Sequence, residues 1–103
     1  MNADHADVLL EFLEIAFHSI LHTRKLYPKD IYKRKIIHGV PVYMSLFPEL
    51  NDYFKNILNS IREVLSKDEY SIDYVNVLYL NEAKVPIEKY NIQIDEIKND
   101  IFS

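Results

Sequence analysis

The amino-acid sequence predicts an α+β fold in which helices pack on one face of an antiparallel sheet. Two long stretches, 4–26 and 48–66, place their apolar residues at the spacing of a helix. Two later stretches, 72–80 and 85–94, are rich in Val, Ile and Tyr, and in the second of them apolar and polar residues alternate as in a half-buried strand. The chain has 103 residues, which is enough for one small domain.

Residues 4–26 are predicted to form a helix in the middle of the core. Apolar residues cover most of its circumference, so we expect it to be packed on at least two sides, with Phe12 and Leu13 almost fully buried. Pro28 should end the helix, because a proline pushes the preceding residue out of the α region. One polar stripe remains, and it comprises Asp7, Glu11, Glu14, His18 and His22.

Part of this stripe has the composition of a metal site. Glu14, His18 and His22 follow one another at intervals of four residues, and carboxylate and imidazole groups can bind zinc. The first and last of them would lie about 12 Å apart along the helix axis, which is too far for one ion. We therefore interpret the stripe as a solvated face, and we expect zinc to leave the stability of the chain unchanged.

Residues 30–46 are predicted to be extended. Gly39, the only glycine of the chain, marks the turn between two short strands. Pro41 follows it and cannot donate a hydrogen bond to a neighbouring strand. This hairpin should therefore lie at an edge.

The hairpin carries a basic run, Lys33, Arg34 and Lys35, and these residues form a candidate contact surface. Tyr27 and Tyr32 are interleaved with the basic residues of 24–35, and basic side chains next to aromatic ones are typical of proteins that bind single-stranded nucleic acid. The alternatives are a solvated face or a surface for an acidic protein partner. The net charge of −4 disfavours direct contact with nucleic acid.

The second half of the chain follows a simpler pattern. Pro48 suits the first position of the second predicted helix. Residues 81–84 should join the strands 72–80 and 85–94 into an antiparallel hairpin. The end of the chain, 95–102, is predicted to begin a third helix.

Composition excludes several classes of function. The absence of cysteine removes disulfides, thiol nucleophiles and cysteine zinc sites, and it is typical of a reducing compartment. A single glycine excludes Gly-rich phosphate loops, and no serine lies in a nucleophile motif. No apolar run approaches the roughly 18 residues that cross a bilayer. We therefore expect a protein that is not an enzyme, has no cofactor and has no membrane partner.

Several short runs form an ordered set between about residue 6 and residue 94. They are Ala6-Asp7-Val8-Leu9, Glu11-Phe12-Leu13-Glu14, Tyr27-Pro28, Val40-Pro41-Val42 and Pro48-Glu49-Leu50-Asn51. Taken in order, these runs resemble the HORMA family, and they favour the branch that contains the accessory subunit of DNA polymerase zeta, in its N-terminal half.

The resemblance implies a HORMA-like fold and a function. HORMA domains close a C-terminal safety belt around a short partner peptide, and in this branch the partner is the catalytic subunit of polymerase zeta. This implies an adaptor for DNA damage tolerance and repair, with a further role in the mitotic checkpoint, in the nucleus and also in the cytoplasm. Tyr53 matches a tyrosine that contacts the peptide, and we assign Tyr27 and Pro41 to the same partner-binding set.

The chain is shorter than a whole domain of this family. We therefore expect residues 1–103 to be a single partial HORMA domain without its C-terminal half and its belt, arising as a fragment, a truncated isoform or a decayed copy. Open strand edges would then favour self-association. Two alternatives stay open, namely a small nucleic-acid-binding module that uses residues 24–35 and an inactive half domain.

Overall fold

A computed structural model describes residues 3–67 and 72–97 and confirms the α+β class. Its strands form two separate antiparallel pairs, β1–β2 and β3–β4, rather than one sheet. The helices are α1 (Ala3–Arg24) and α2 (Pro48–Leu65), a 3-10 turn spans Lys29–Ile31, and the strands are β1 (Tyr32–Ile37), β2 (Val40–Ser45), β3 (Tyr74–Leu80) and β4 (Pro86–Gln93).

The first hairpin turns at the predicted position. Ile37 is opposite Val40, so the loop has only two residues, His38 and Gly39. Their φ angles are 51° and 78°, which is the left-handed pair that a tight hairpin turn requires. Glycine adopts this conformation without strain, and this explains why the only glycine of the chain lies here.

Helix α1 lies in the middle of the core, as predicted. Leu9 and Leu13 are completely buried, and α1 packs on both β2 and α2. The buried residues that form the core are Leu9, Leu10, Leu13 and Phe17 of α1, Leu50, Phe54, Leu58 and Leu65 of α2, and Ile94.

The prediction for Phe12 was wrong. Its side chain is 45% exposed, and Val8, one turn earlier on the same face, is 43% exposed. Leu13, the next residue, lies about 100° further around the helix axis and is fully buried. An apolar sequence pattern cannot distinguish these faces, because it contains no information on which side of α1 a neighbouring element covers.

Helix α2 begins at Pro48, as predicted, and is tied to the end of β2. The Ser45 Oγ accepts a hydrogen bond from the Phe47 amide at 3.0 Å, and the Asn51 amide group donates to the Ser45 carbonyl at 2.9 Å. An ion pair between Arg62 and Asp7 joins α2 to α1 along the surface. Both ends of α2 are therefore fixed against the first part of the chain.

The second hairpin packs one face on the helices. Val75, Val77 and Ile92 are in contact with the core, while the residues between them in the two strands are exposed. Arg24, at the end of α1, forms an ion pair with Glu88 at 2.6 Å. Residues 94–97 form one helical turn, and the remainder of the predicted third helix lies outside the described residues.

Within residues 3–67 and 72–97, neither helix combines the length and the apolarity needed to cross a membrane.

The contrast between the two neighbouring positions on α1 gives a first prediction. Leu13→Ala should cost roughly 2–5 kcal/mol of unfolding free energy, because it empties a fully buried site. Phe12→Ala should cost only about 1–2 kcal/mol, because nearly half of that ring is already in water. Urea unfolding of both variants measures the two values, and a larger loss for Phe12→Ala would contradict the burial described here.

Candidate functional site

An apolar groove lies between the two helices and β3. Its volume is about 210 Å³, and α1, α2 and β3 each contribute to its walls. The residues that line it, which we call the Tyr53 groove, are Phe17, Ile20, Leu21, Tyr53, Phe54, Ile57, Val75, Asn76, Val77 and Leu78.

Tyr53 owes its position to the packing of α2. Leu50, Phe54 and Leu58 are buried against the core, and Tyr53 precedes Phe54 at the margin of that apolar face. Its side chain is 61% exposed, and its ring centroid lies 5.9 Å from that of Phe54. The ring is therefore fixed at its base and open to a ligand.

The third wall of the groove is the edge of β3. Val75 and Val77 face the core and Asn76 and Leu78 face outward, yet all four line the groove, so the groove runs along the strand. β3 pairs with β4 on one side, and no other strand among residues 3–67 and 72–97 pairs with it. The described part of the chain thus leaves unpaired backbone groups on β3 beside Tyr53.

The three residues assigned to partner binding do not form one site. Tyr27 lies beyond the end of α1, with its ring 6.3 Å from Phe47, and it lines a different cavity. Pro41 is exposed in β2 opposite Ile36. Their role in partner binding stays a prediction.

The basic run of β1 is exposed but is not one surface. Lys33, Arg34 and Lys35 are consecutive strand residues, so Arg34 points away from the face that the two lysines share. Arg34 is opposite Tyr43 and Lys35 is opposite Val42. A nucleic acid strand could contact only part of this run at one time.

The sequence interpretation also placed His18 wrongly. The structure buries it at 3% exposure rather than on a solvated face, and its Nδ1 accepts a hydrogen bond from the Ser45 amide at 3.0 Å. Burial lowers the pKa of His18, and the charge of Lys35 lowers it further. The ring is therefore neutral and acts as an acceptor between α1 and β2.

The three residues that have the composition of a metal site make separate contacts. Nδ1 of His18 is occupied by Ser45, and the His22 ring is half-buried and stacks on Tyr43 at 4.0 Å. The described ranges, 3–67 and 72–97, contain no group of three or more side chains arranged to hold a metal ion. That zinc leaves the stability unchanged stays a prediction.

Comparison with known proteins gives strong similarities. No family model matches the sequence. The mitotic spindle assembly checkpoint protein MAD2B of Homo sapiens is 40% identical over 91 residues, which are 88% of this chain and 42% of that protein. DNA polymerase zeta subunit 2 of Drosophila melanogaster is 31% identical over 90 residues, which are 87% of this chain and 44% of that protein.

The fold also has a solved counterpart. A chain in the crystal structure of a mitotic checkpoint complex superimposes with a TM-score of 0.73 at 21% identity, over 84% of this chain and 49% of that one. This confirms the predicted HORMA-like fold. Homology to MAD2B and to polymerase zeta subunits likewise confirms the resemblance found in the sequence, and the chain spans 42% of the length of MAD2B.

The buried histidine predicts a pH-dependent stability. Since the pKa of His18 in the folded chain is below its usual value of 6.5, the unfolded chain binds a proton more readily, and protonation favours unfolding. The contribution of the neutral ring to the free energy of unfolding is fully present above about pH 6.5 and is lost as the pH falls through the folded-state pKa. The unfolding free energy should therefore decrease as the solution is acidified.

The variant His18→Asn tests this, because its side-chain oxygen can accept from Ser45 but does not titrate in this range. Urea unfolding at several pH values between about 5 and 7.5 should give a flatter profile for His18→Asn than for the parent. Thr23→Asn, at an exposed position of the same helix, introduces the same side chain without removing a titratable group, so it is the control and should keep the parent slope. Identical slopes for His18→Asn and the parent would contradict the assignment.

Proposed function

We propose that this chain is a non-catalytic adaptor that binds a short, extended peptide of a partner protein in the Tyr53 groove. The observation that carries the proposal is the position of an exposed tyrosine beside an unpaired strand edge among the described residues. A peptide in this groove would extend the β3–β4 pair by one strand. Backbone hydrogen bonds would then provide affinity, and alternate side chains would provide specificity.

The chemistry of the groove supports binding rather than catalysis. Its lining is apolar apart from the Tyr53 hydroxyl and the Asn76 amide, so it presents no general base and no strong nucleophile. The Tyr53 ring is suited to pack on a proline of the peptide, and its hydroxyl is suited to a backbone hydrogen bond. A proline-containing extended segment is therefore the ligand class that fits best.

The named relatives support a more specific role. One is a DNA polymerase zeta subunit and another is a spindle checkpoint protein. By analogy with them, we propose that the chain serves DNA damage tolerance, by translesion synthesis and repair, in the nucleus. The catalytic subunit of polymerase zeta is the proposed partner, and a second role in mitotic checkpoint control follows from the same names.

Truncation of the tyrosine tests the groove. Tyr53→Ala should weaken binding of a proline-containing peptide from the polymerase zeta catalytic subunit about 30-fold, as for an aromatic residue at the centre of an interface. Tyr53→Phe should retain most of the affinity if ring packing dominates. Fluorescence anisotropy with a labelled peptide gives the dissociation constants.

The matched control for this experiment is Ile87→Ala. Ile87 is 57% exposed in β4, outside the strand that the peptide would pair with, and it does not line the groove, so its truncation should leave the affinity unchanged. Equal losses in Tyr53→Ala and Ile87→Ala would indicate a general loss of structure, and unchanged binding in both would indicate that the peptide binds elsewhere.

The proposed strand pairing makes a separate prediction about the peptide. In an added strand, every second backbone N–H points to the neighbouring strand. N-methylation of one alternate set of amides should therefore weaken binding by at least about tenfold, while methylation of the other set leaves it almost unchanged. The same assay measures both peptides, and equal effects of the two sets would rule out pairing with β3.

A further inference from the structure

A second cavity lies where α1 ends and the first hairpin begins. Its volume is about 580 Å³, which is within the usual range for ligand sites. It shares no lining residue with the Tyr53 groove. The residues that line it, which we call the Tyr32 pocket, are His22, Lys25, Tyr27, Pro28, Lys29, Tyr32 and Tyr43.

Aromatic rings form a rigid part of this pocket. The His22 ring stacks on Tyr43 with the centroids 4.0 Å apart and the planes 2° apart. The edge of the same histidine meets Tyr32, with the centroids 5.1 Å apart and the planes at 86°. These contacts fix three of the rings before any ligand binds, so little conformational entropy would be lost on binding.

Among residues 3–67 and 72–97, the buried hydroxyl of Tyr32 has no hydrogen-bond partner. An unmade hydrogen bond on a buried polar atom destabilises the free protein. Burial, and to a smaller extent Tyr27, raises the pKa of Tyr32, so its hydroxyl stays protonated and is able to donate. A ligand that displaces the atoms covering this hydroxyl and brings an acceptor to it would satisfy it.

The charged residues that line the pocket indicate which kind of hydrogen-bond acceptor a ligand should carry. Lys25 and Lys29 line the pocket, and none of its lining residues is acidic. A polar cavity beside α2, by contrast, mixes both signs of charge, for example Asp52 with Arg62. The Tyr32 pocket is therefore suited to a negatively charged group.

Lys25 has a strained backbone. It follows the last residue of α1 with a φ of 54°, and its amide and that of Leu26 donate to the carbonyls of His22 and Leu21 at 3.2 and 3.4 Å. This is the helix-ending motif in which glycine is preferred, because a side chain is disfavoured in the left-handed region. Here the position carries a cation at the rim of the pocket instead.

We propose that the Tyr32 pocket binds an acidic side chain of a partner peptide together with an adjacent aromatic residue. The carboxylate accepts the hydrogen bond of the Tyr32 hydroxyl and is neutralised by Lys25 and Lys29. The neighbouring aromatic residue packs on Tyr27 and Tyr43. This site goes beyond the Tyr53 groove, because it recognises charge where the groove recognises an apolar extended segment.

The surroundings favour a peptide over a nucleic acid. Lys33, Arg34 and Lys35 do not line the pocket, so its two cations are not part of a continuous basic track. The chain as a whole carries a net charge of −4. This charge disfavours binding of a polyanion, but it weakens the binding of a single carboxylate only slightly.

The experiment compares two peptides, Ser-Glu-Phe-Ser and Ser-Gln-Phe-Ser, which are acetylated at the N-terminus and amidated at the C-terminus and differ only in the side chain of the second residue. Titration of the chain followed by nuclear magnetic resonance gives their dissociation constants. We expect the glutamate peptide to bind about tenfold more tightly than the glutamine peptide, because only the former carries the charge. Equal affinities, or no saturable binding of the glutamate peptide, would overturn the proposal.

Two variants should weaken binding without lowering stability. Lys25→Gly should reduce the affinity for the glutamate peptide about tenfold and raise the melting temperature, because glycine relieves the strained backbone. Tyr32→Phe should also weaken binding, and it should not lower the melting temperature, because it removes a buried hydroxyl without a partner. Weaker binding therefore cannot be attributed to unfolding.

Lys84→Gly is the matched control. Lys84 also has a left-handed φ, 61°, and lies in the β3–β4 loop, so the substitution removes the same charge from the same backbone geometry. It should raise the melting temperature and leave the peptide affinity unchanged. If it weakens binding as much as Lys25→Gly does, the effect is one of net charge and the pocket is not the site.

Further measurements separate this site from its alternatives. Tyr53→Ala should leave the affinity for the glutamate peptide unchanged, so failure of the groove and failure of the pocket can be distinguished. Oligothymidine that displaces the peptide with submillimolar affinity would favour nucleic acid and overturn the choice of ligand. Sedimentation that shows a dimer lost in Lys25→Gly would assign the pocket to a second copy of the chain.

Discussion

The buried contact between His18 and Ser45 holds the end of the first hairpin on the central helix, just before the start of α2, the helix that carries Tyr53. The Ser45 amide donates to the neutral imidazole, its hydroxyl accepts from Phe47, and its carbonyl accepts from Asn51 in the first turn of α2. One residue thus joins the central helix, the first hairpin and the second helix. Loss of the His18 contact would therefore loosen the junction from which α2 extends.

The two candidate surfaces would recognise different features of a partner peptide. The Tyr53 groove offers backbone groups and apolar area, and these recognise the shape of an extended segment with little regard to charge. The Tyr32 pocket offers fixed rings, a hydroxyl and two cations, which select a carboxylate over its neutral analogue. An adaptor with both could hold a partner by its backbone and discriminate among partners by an acidic side chain.

The sequence predicted the elements well where local chemistry determines them. Pro48 starts α2 at the expected residue, and Gly39 lies in a turn that requires two left-handed residues. The sequence-based prediction of burial was wrong where burial depends on which element packs against a residue. Phe12 and Leu13 are equally apolar, and a histidine in a polar stripe gives no sign that a strand will cover it. His18 is buried because β2 crosses α1 at that level, and this long-range contact is absent from any helical pattern.

The left-handed backbone of Lys25 does not by itself identify a binding site. His38 and Lys84 are also left-handed without being glycine, and both lie in exposed hairpin loops where such residues are tolerated. A strained lysine is therefore not evidence of a site. What distinguishes Lys25 is its neighbourhood, because it shares a cavity with a second lysine and with a buried hydroxyl that lacks a partner. The carboxylate of a ligand would be neutralised by both lysines and accept a hydrogen bond from the Tyr32 hydroxyl at the same time.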